Sequence, residues 1–308
     1  MRIAVLGGGA MGMLYASMLA SCHDVVVMDR NAAKVEAIKS RGITLEEQDG
    51  TLVTAHPGAA QMGEPVKPAD LVLVFVKAMG TREALEKCRA LIGEHTLLLT
   101  LQNGGGHEDV LSQFVPMQRI LLGTTQHNAS VREDGRVFHG GSGQTVIGSP
   151  VGEHEQAEKV AIAFEAAGIC TVASRNVRET IWRKLMTNVS LSALTGVFQM
   201  PMGFVSDSAS AWRLCEMLVR EACAVAAADG VVFDPQEKIE EVHQVAVKGP
   251  RGITSICADL MHGRMTEVDT ISGSVVRAAA RLHVPAPHHE MMVLLIHAME
   301  DKNRETGK

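Results

Sequence analysis

A glycine-rich turn at the very start of the chain limits the fold more than any other feature. The β-rich run Ile3–Leu6 leads directly into Gly7-Gly8-Gly9-Ala10-Met11-Gly12, and an apolar helical pattern follows over Met11–Ala20. The spacing GxGxxG at Gly7, Gly9 and Gly12 assigns each glycine a task. The first permits a tight turn, the second lets backbone approach a pyrophosphate, and the third lets the helix sit close on the strand. The helix that follows points its free N–H groups and positive dipole end at the same place. Alone the motif is weak, because any tight turn can be glycine-rich. Here a second strand-like run, Val25–Met28, is followed by Asp29, 22 residues beyond Gly7, where an acid is expected to receive ribose hydroxyls. A dinucleotide site built from Gly7, Gly8, Gly9, Ala10, Met11, Gly12 and Asp29 is therefore the expectation.

The pattern continues in kind. Strand-like runs at Leu71–Val76, Thr96–Leu101 and Ile120–Leu122 alternate with helical stretches at Ala32–Ser40 and Thr81–Leu91, for which Asn31 and Thr81 are candidate N-caps. Continuous apolar strands separated by helices predict a parallel sheet covered on both faces. Gly135–Ser149 changes to alternating residues and glycine turns, which predicts an antiparallel addition. After Val172 the strand signals stop. Helix starts are read at Asn176 with Glu179, at Asp234-Pro235-Gln236-Glu237, and at Thr266-Glu267-Val268-Asp269. The predicted fold is α/β, a Rossmann-type dinucleotide-binding domain over residues 1–174 followed by an all-helical domain over 175–308 that carries substrate and catalysis.

Composition narrows the partners. A net charge of −6 lacks the positive face that phosphate counterion displacement requires, so no nucleic acid is expected. The chain has no polybasic block, no apolar run of membrane-spanning length, and no room for a signal peptide before the first strand. Six cysteines without a CxxC pair read as buried thiols in a reducing compartment. A soluble cytoplasmic protein without a membrane partner is the expectation, with a homodimer left open. The 13 histidines, including His288-His289 and His297, show no recognised metal-ligand spacing.

Lys184, Asn188 and Ser192 are spaced i, i+4 and i+8, on one face of an α-helix. A solvated stripe is the ordinary explanation, but no charged residue occurs between Lys184 and Asp207. The helix is therefore expected to be buried, with the stripe lining a cavity. A lysine there needs a partner, and its pKa can move into the range of a proton donor. The partner candidate is Glu267, read as a first-turn acid of a helix capped by Thr266; locally, such an acid is more often there only to complement the helix dipole. Lys77 and Asn103 end two of the strands, where such sheets bind ligands. Taken singly they are better explained as a solvated strand end and a turn residue.

As an ordered set these segments resemble the ketopantoate reductase family over nearly the whole chain. The carriers are the Gly7–Gly12 turn, Leu73-Val74-Phe75-Val76-Lys77-Ala78, Gln102-Asn103-Gly104, Gly123-Thr124-Thr125, Ile181-Trp182-Arg183-Lys184-Leu185, Asn188, Ser255 and Thr266-Glu267-Val268-Asp269. The resemblance implies reduction of a small 2-keto acid, ketopantoate in the first instance. Lys184 would be the general acid and Glu267 the residue that orients it. Asn188 and Ser255 would bind substrate, Asn103 would lie beside the carbonyl and the nicotinamide, and Lys77 near the cofactor. Ser192 stands where the family commonly has a second asparagine. The implied cofactor is NADP, with Arg30 available for a 2′-phosphate, while Asp29 leaves NAD open. A D-2-hydroxyacid dehydrogenase of the same family is the alternative reading. A non-catalytic dinucleotide sensor is an alternative of another class, although it would need neither Lys184 nor Glu267.

Overall fold

The computed structural model describes residues 1–307 and divides into two compact units. The first comprises Met1–Gln102 and His107–Thr180, and the second Asn103–Gly106 together with the chain from Ile181 onward.

In the first unit, β1 (Arg2–Leu6), α1 (Ala10–Leu19), β2 (Asp24–Asp29) and α2 (Ala32–Arg41) form the opening βαβα run. A small hairpin of β3 (Ile43–Glu46) and β4 (Leu52–Ala55) follows. Then come β5 (Gly58–Gln61), β6 (Leu71–Val74), α3 (Thr81–Lys87), β7 (Leu97–Thr100), the single-turn α4 (Glu108–Leu111) and β8 (Ile120–Thr125). The unit closes with β9 (Asn128–Val131), β10 (Val137–Gly141), β11 (Thr145–Gly148), α5 (His154–Ala166) and β12 (Thr171–Ala173). The main sheet has the order β12-β11-β8-β7-β6-β1-β2-β5. From β8 to β5 all neighbours are parallel, and their order is that of a dinucleotide-binding sheet. Its reversal of strand order lies between β1 and β6, which places the ligand end at Gly7 and at the residues after Val74. β11 joins antiparallel to β8, as the change of pattern after Gly135 predicts. Ile3, Val5, Leu71, Leu73, Leu97 and Leu99 are buried almost completely in this core, and strands covered on both faces need no alternation.

A second sheet, β4-β3-β10-β9, lies outside the sequence reading, although Gln48-Asp49-Gly50 between β3 and β4 carries a hairpin signal. Thr81 is not an N-cap: Gly80 holds that position without a side-chain bond. The Thr81 hydroxyl instead accepts a hydrogen bond from Gln102 Nε2 at 3.0 Å. The helix predicted to reach Leu91 is α only to Lys87, with a 3₁₀ turn over Arg89–Leu91. Cys22 and Cys170 are exposed, unlike the other four cysteines.

The second unit is helical, as expected: α6 (Val177–Thr187), a π-helical turn (Asn188–Ser192), α7 (Ala193–Phe198), α8 (Met202–Asp207), α9 (Ala209–Ala228), α10 (Pro235–Lys248), α11 (Ser255–Met261), α12 (Ser272–Leu282) and α13 (Pro287–Glu305). The residue boundary between the units falls inside α6. Asn176 Oδ1 accepts from Glu179 N at the start of α6, and Asp234 Oδ1 accepts from Gln236 N and Glu237 N ahead of Pro235. The α9 face made by Cys215, Leu218, Val219, Ala222, Val225 and Ala226 is buried in the core of this unit. No helix of the described residues is long and apolar enough to cross a membrane.

Candidate active site

The phosphate turn has the geometry its spacing requires. Gly7 adopts φ +108°, and a Cβ there would lie 2.7 Å from Val76 N. A Cβ on Gly12 would stand 1.9 Å from Gly7 O, so only glycine lets α1 come this close. Gly9 differs in that nothing of the protein lies within 4 Å of its would-be Cβ, leaving backbone open to an incoming group. Gly9 caps α1 without a side-chain bond, and the first turn carries no acid. The amides around Ala10, Met11 and Gly12 are thus left to an anion.

Beside the turn is a cavity of about 440 Å³ lined by residues that include Gly7, Gly9, Asp29, Arg30, Lys34 and Lys77. Asp29 is buried at the end of β2 and firmly held. Its Oδ2 accepts from Gly8 N at 2.8 Å and pairs with Lys34 Nζ at 3.3 Å, while Oδ1 accepts from Asn31 N at 2.8 Å. Arg30 and Lys77 are exposed at the same cavity. Lys34 was not singled out from the sequence, yet the Asn31 cap places it in the first turn of α2, directly above Asp29. An open glycine, uncapped helix amides, a fixed carboxylate and a surplus of cations together suit the phosphates and ribose of a dinucleotide.

In the second unit Lys184 lies near the end of α6, half-buried. Burial lowers its pKa to about 8, and the negative charge of Glu267 opposes that fall. The charge of Glu267 is therefore felt at Lys184. The local setting of Glu267 differs from the prediction, however. Thr266 starts no helix; α12 begins only at Ser272. Glu267 sits in a hydrogen-bonded turn in which its carbonyl accepts from Thr270 N and Ile271 N, and Val268 O accepts from Gly273 N. The Thr266 hydroxyl accepts from Val268 N at 3.2 Å, capping this one turn.

The stripe is altered too. From Asn188 to Ser192 the helix widens to a π turn, and an i, i+4, i+8 line drawn for 3.6 residues per turn no longer follows one face across it. Asn188 is half-buried, whereas Ser192 is only 5% exposed. The first part of the uncharged run is buried as predicted, Val189 to Thr195 being nearly inaccessible, whereas Gln199, Met200 and Phe204 further along it are exposed. Ser255 opens α11, capped by the Thr254 hydroxyl, and is the most exposed of the substrate candidates. α11 packs against the π turn and α7, and the approach is close because Gly196 faces Ile256; a Cβ on Gly196 would meet Ile256 Cγ2 at 2.6 Å.

Asn103 belongs to this unit through its own segment. Gly105 N donates to Thr270 O at 2.8 Å. Gly104 takes φ +103°, with Thr270 O only 2.1 Å from where a Cβ would be. A Cβ on Gly105 would be 4.0 Å from Leu185. The 267–271 turn therefore anchors the Asn103 segment at one end and carries Glu267 at the other. No group of three or more His, Cys, Asp or Glu among the described residues is arranged to hold a metal ion.

A six-strand parallel sheet with this glycine turn, joined to a helical unit bearing a carboxylate-coupled lysine, defines a Rossmann-type dinucleotide-dependent class of protein. Comparison with known proteins specifies it further. Residues 3–152 match the family model for ketopantoate reductase PanE/ApbA and residues 176–300 the model for its C-terminal part. The chain is 32% identical to the 2-dehydropantoate 2-reductase of Halobacterium salinarum, covering 93% of this chain and 95% of that one. Among solved structures it resembles a ternary complex of D-mandelate dehydrogenase with NADH and anilino(oxo)acetate, with a TM-score of 0.91, 30% identity, and coverage of 99% and 100%. It also resembles a PanE/ApbA family ketopantoate reductase from Ralstonia eutropha, with a TM-score of 0.88, 30% identity, and coverage of 99% and 100%. The chain belongs to the ketopantoate reductase family.

Proposed function

We propose that the protein reduces 2-dehydropantoate to pantoate at the expense of a nicotinamide dinucleotide, with Lys184 as general acid. The observation that carries this reading is the half-buried Lys184, held at a pKa of about 8 against the charge of Glu267. Near neutral pH such a lysine is mostly protonated yet gives up its proton far more readily than an exposed one. A nicotinamide dinucleotide held at the Gly7–Gly12 turn would supply the hydride for the carbonyl carbon. Lys184 Nζ hydrogen-bonds the ketone oxygen, stabilises the charge that develops there and transfers its proton to complete the alcohol. Glu267 keeps the ammonium charged and aimed between turnovers. Asn103, Asn188 and Ser255 offer amide and hydroxyl groups for the substrate carboxylate and hydroxyl.

Gly7–Gly12, Asp29, Arg30 and Lys77 would hold the dinucleotide. NADPH is the favoured form. Lys34 pairs with Asp29 and offsets the charge that would otherwise repel a 2′-phosphate, while Arg30 lies exposed at the same cavity to receive it. NADH remains usable through the Asp29 carboxylate.

A second reading is reduction of a bulkier apolar 2-keto acid to a D-2-hydroxy acid. It is favoured by the likeness to D-mandelate dehydrogenase. A panel of 2-keto acids assayed with NADPH and with NADH decides. The expected result is the highest kcat/KM for 2-dehydropantoate with NADPH. A preference for phenylglyoxylate would move the assignment to the second reading, and no turnover of any keto acid would refute both.

A further inference from the structure

We infer that Glu300, on the last helix, is a positioning residue that sets the Lys184–Glu267 pair and the Asn103 segment by clamping the turn between them. This rests on the catalytic reading of Lys184 and Glu267.

Glu300 is 4% exposed, and a carboxylate that deep must be fully hydrogen-bonded to stay charged. Its bonds are unusually directed. Oε1 accepts from Thr266 N at 2.8 Å and from the Thr266 hydroxyl at 2.7 Å, fixing the residue immediately before Glu267 by both backbone and side chain. Oε2 bonds His297 Nδ1 at 2.8 Å, and His297 Nε2 bonds Asp269 Oδ1 at 3.1 Å. One turn of α13 thus grips the segment on both sides of Glu267. Burial pulls the His297 pKa down, but the hydrogen bonds to Glu300 and Asp269 outweigh it and leave the pKa raised. From α12, Arg277 Nη1 donates to Asp269 O at 2.8 Å.

The turn is closed by its own backbone bonds, from Thr270 N and Ile271 N to Glu267 O and from Gly273 N to Val268 O. These hold the residues after Glu267, whereas Glu300 holds Thr266 before it. The turn also passes its position on, because Thr270 O receives the Gly105 amide next to Asn103. Moving Thr266 would displace Glu267 directly and Asn103 through Thr270. Glu300 touches none of the proposed reacting groups; its effect reaches them only through this turn.

The test is Glu300→Ala, with Glu300→Gln as the conservative control. Glutamine can still accept from Thr266 with its oxygen and donate to a neutral His297 with its nitrogen, so geometry survives while charge is lost. The Lys184 pKa is read by NMR on ε-¹³C-lysine enzyme, alongside kcat and KM with 2-dehydropantoate and NADPH. Glu300→Ala should lower the Lys184 pKa toward its value in Glu267→Gln and reduce kcat on the order of tenfold, with KM for NADPH unmoved. Glu300→Gln should restore most of both. In a Glu267→Gln background, Glu300→Ala should move the lysine no further. If Glu300→Ala fails to fold, Thr266→Val removes one leg of the clamp and should shift the same two readouts in the same direction. An unmoved Lys184 pKa in folded Glu300→Ala (or Thr266→Val), with Glu267→Gln lowering it, overturns the clamp and leaves the catalytic pair standing. An unmoved pKa in Glu267→Gln overturns the pair itself, and the clamp with it.

Discussion

Replacing Lys184 by methionine should make the protein more stable and nearly inactive at once. The lysine pKa falls from the ordinary 10.5 to about 8 in the folded chain, so the unfolded chain holds the proton more tightly. The penalty for keeping an ammonium there is about 3 kcal/mol. It acts in full below pH 8, fades as the pH rises from 8 to 10.5, and vanishes above. Methionine is of similar length and fills the space with no charge. The attraction of Glu267 is already contained in that pKa, so the discount comes from the polar contacts that a neutral lysine would keep and methionine cannot make. A net stabilisation of about 1–2 kcal/mol at pH 7 is expected. Loss of a general acid should meanwhile cost about 10²–10⁴-fold in kcat. Urea unfolding at pH 7 and at pH 10.5, with turnover measured on the same preparations, checks both halves. A variant less stable than wild type at pH 7, or one whose gain is as large at pH 10.5, would refute the claim that a strained ammonium occupies this position.

Other outcomes follow from the same geometry. The kcat for reduction should be level below about pH 8 and fall above it as Lys184 deprotonates, with Glu267→Gln moving that limb to lower pH; a limb at the ordinary lysine value would contradict the burial argument. Asp29→Ala should raise the NADPH-to-NADH ratio of kcat/KM, since the contact proposed for this carboxylate is with the ribose hydroxyls and favours NADH; an unchanged ratio would mean that Asp29 does no more than hold Gly8 and Asn31. Gly104→Ala would force a methyl onto Thr270 O at a φ of +103° and should lower both kcat and melting temperature. Glu221→Ala would strip the acceptor from His288 N and His289 N at the start of α13, costing about 1–3 kcal/mol in urea unfolding with KM for the dinucleotide unchanged.

Much of this was legible because it is local. The Gly7–Gly12 turn, the strand before it and Asp29 after it form one continuous signal, and the apolar runs that became β1, β6 and β7 need no long-range information to be read. Asn176 and Asp234 cap the helices their neighbours predict. The errors arise where distant groups override local preference. Thr266-Glu267 has the composition of a helix start, but the Thr266 amide and hydroxyl are taken by Glu300, 34 residues away, and the helix waits until Ser272. Thr81 likewise spends its hydroxyl on Gln102. The π turn at Asn188–Ser192 leaves no mark in hydrophobic spacing, because every residue around it is apolar or small. Lys34 could have been found, since the Asn31 cap fixes its place over Asp29. Glu300 and His297 could not, because nothing near them in sequence hints at the turn they hold.

The assignment of Asn103–Gly106 to the second unit bears on how this chain can be inherited and re-engineered. A gene cut once near codon 175 or 181 would give a C-terminal fragment missing the strip that occupies Thr270 O, and with it one of the proposed active-site residues. The two halves are therefore not interchangeable cassettes. A chimaera that takes its helical half from one relative and its sheet from another must also transplant the short stretch around Asn103 from the helical donor, or accept a mismatched glycine segment against a foreign turn. Insertions between Gln102 and His107 should be far less tolerated than their place in the middle of the sheet-forming half suggests.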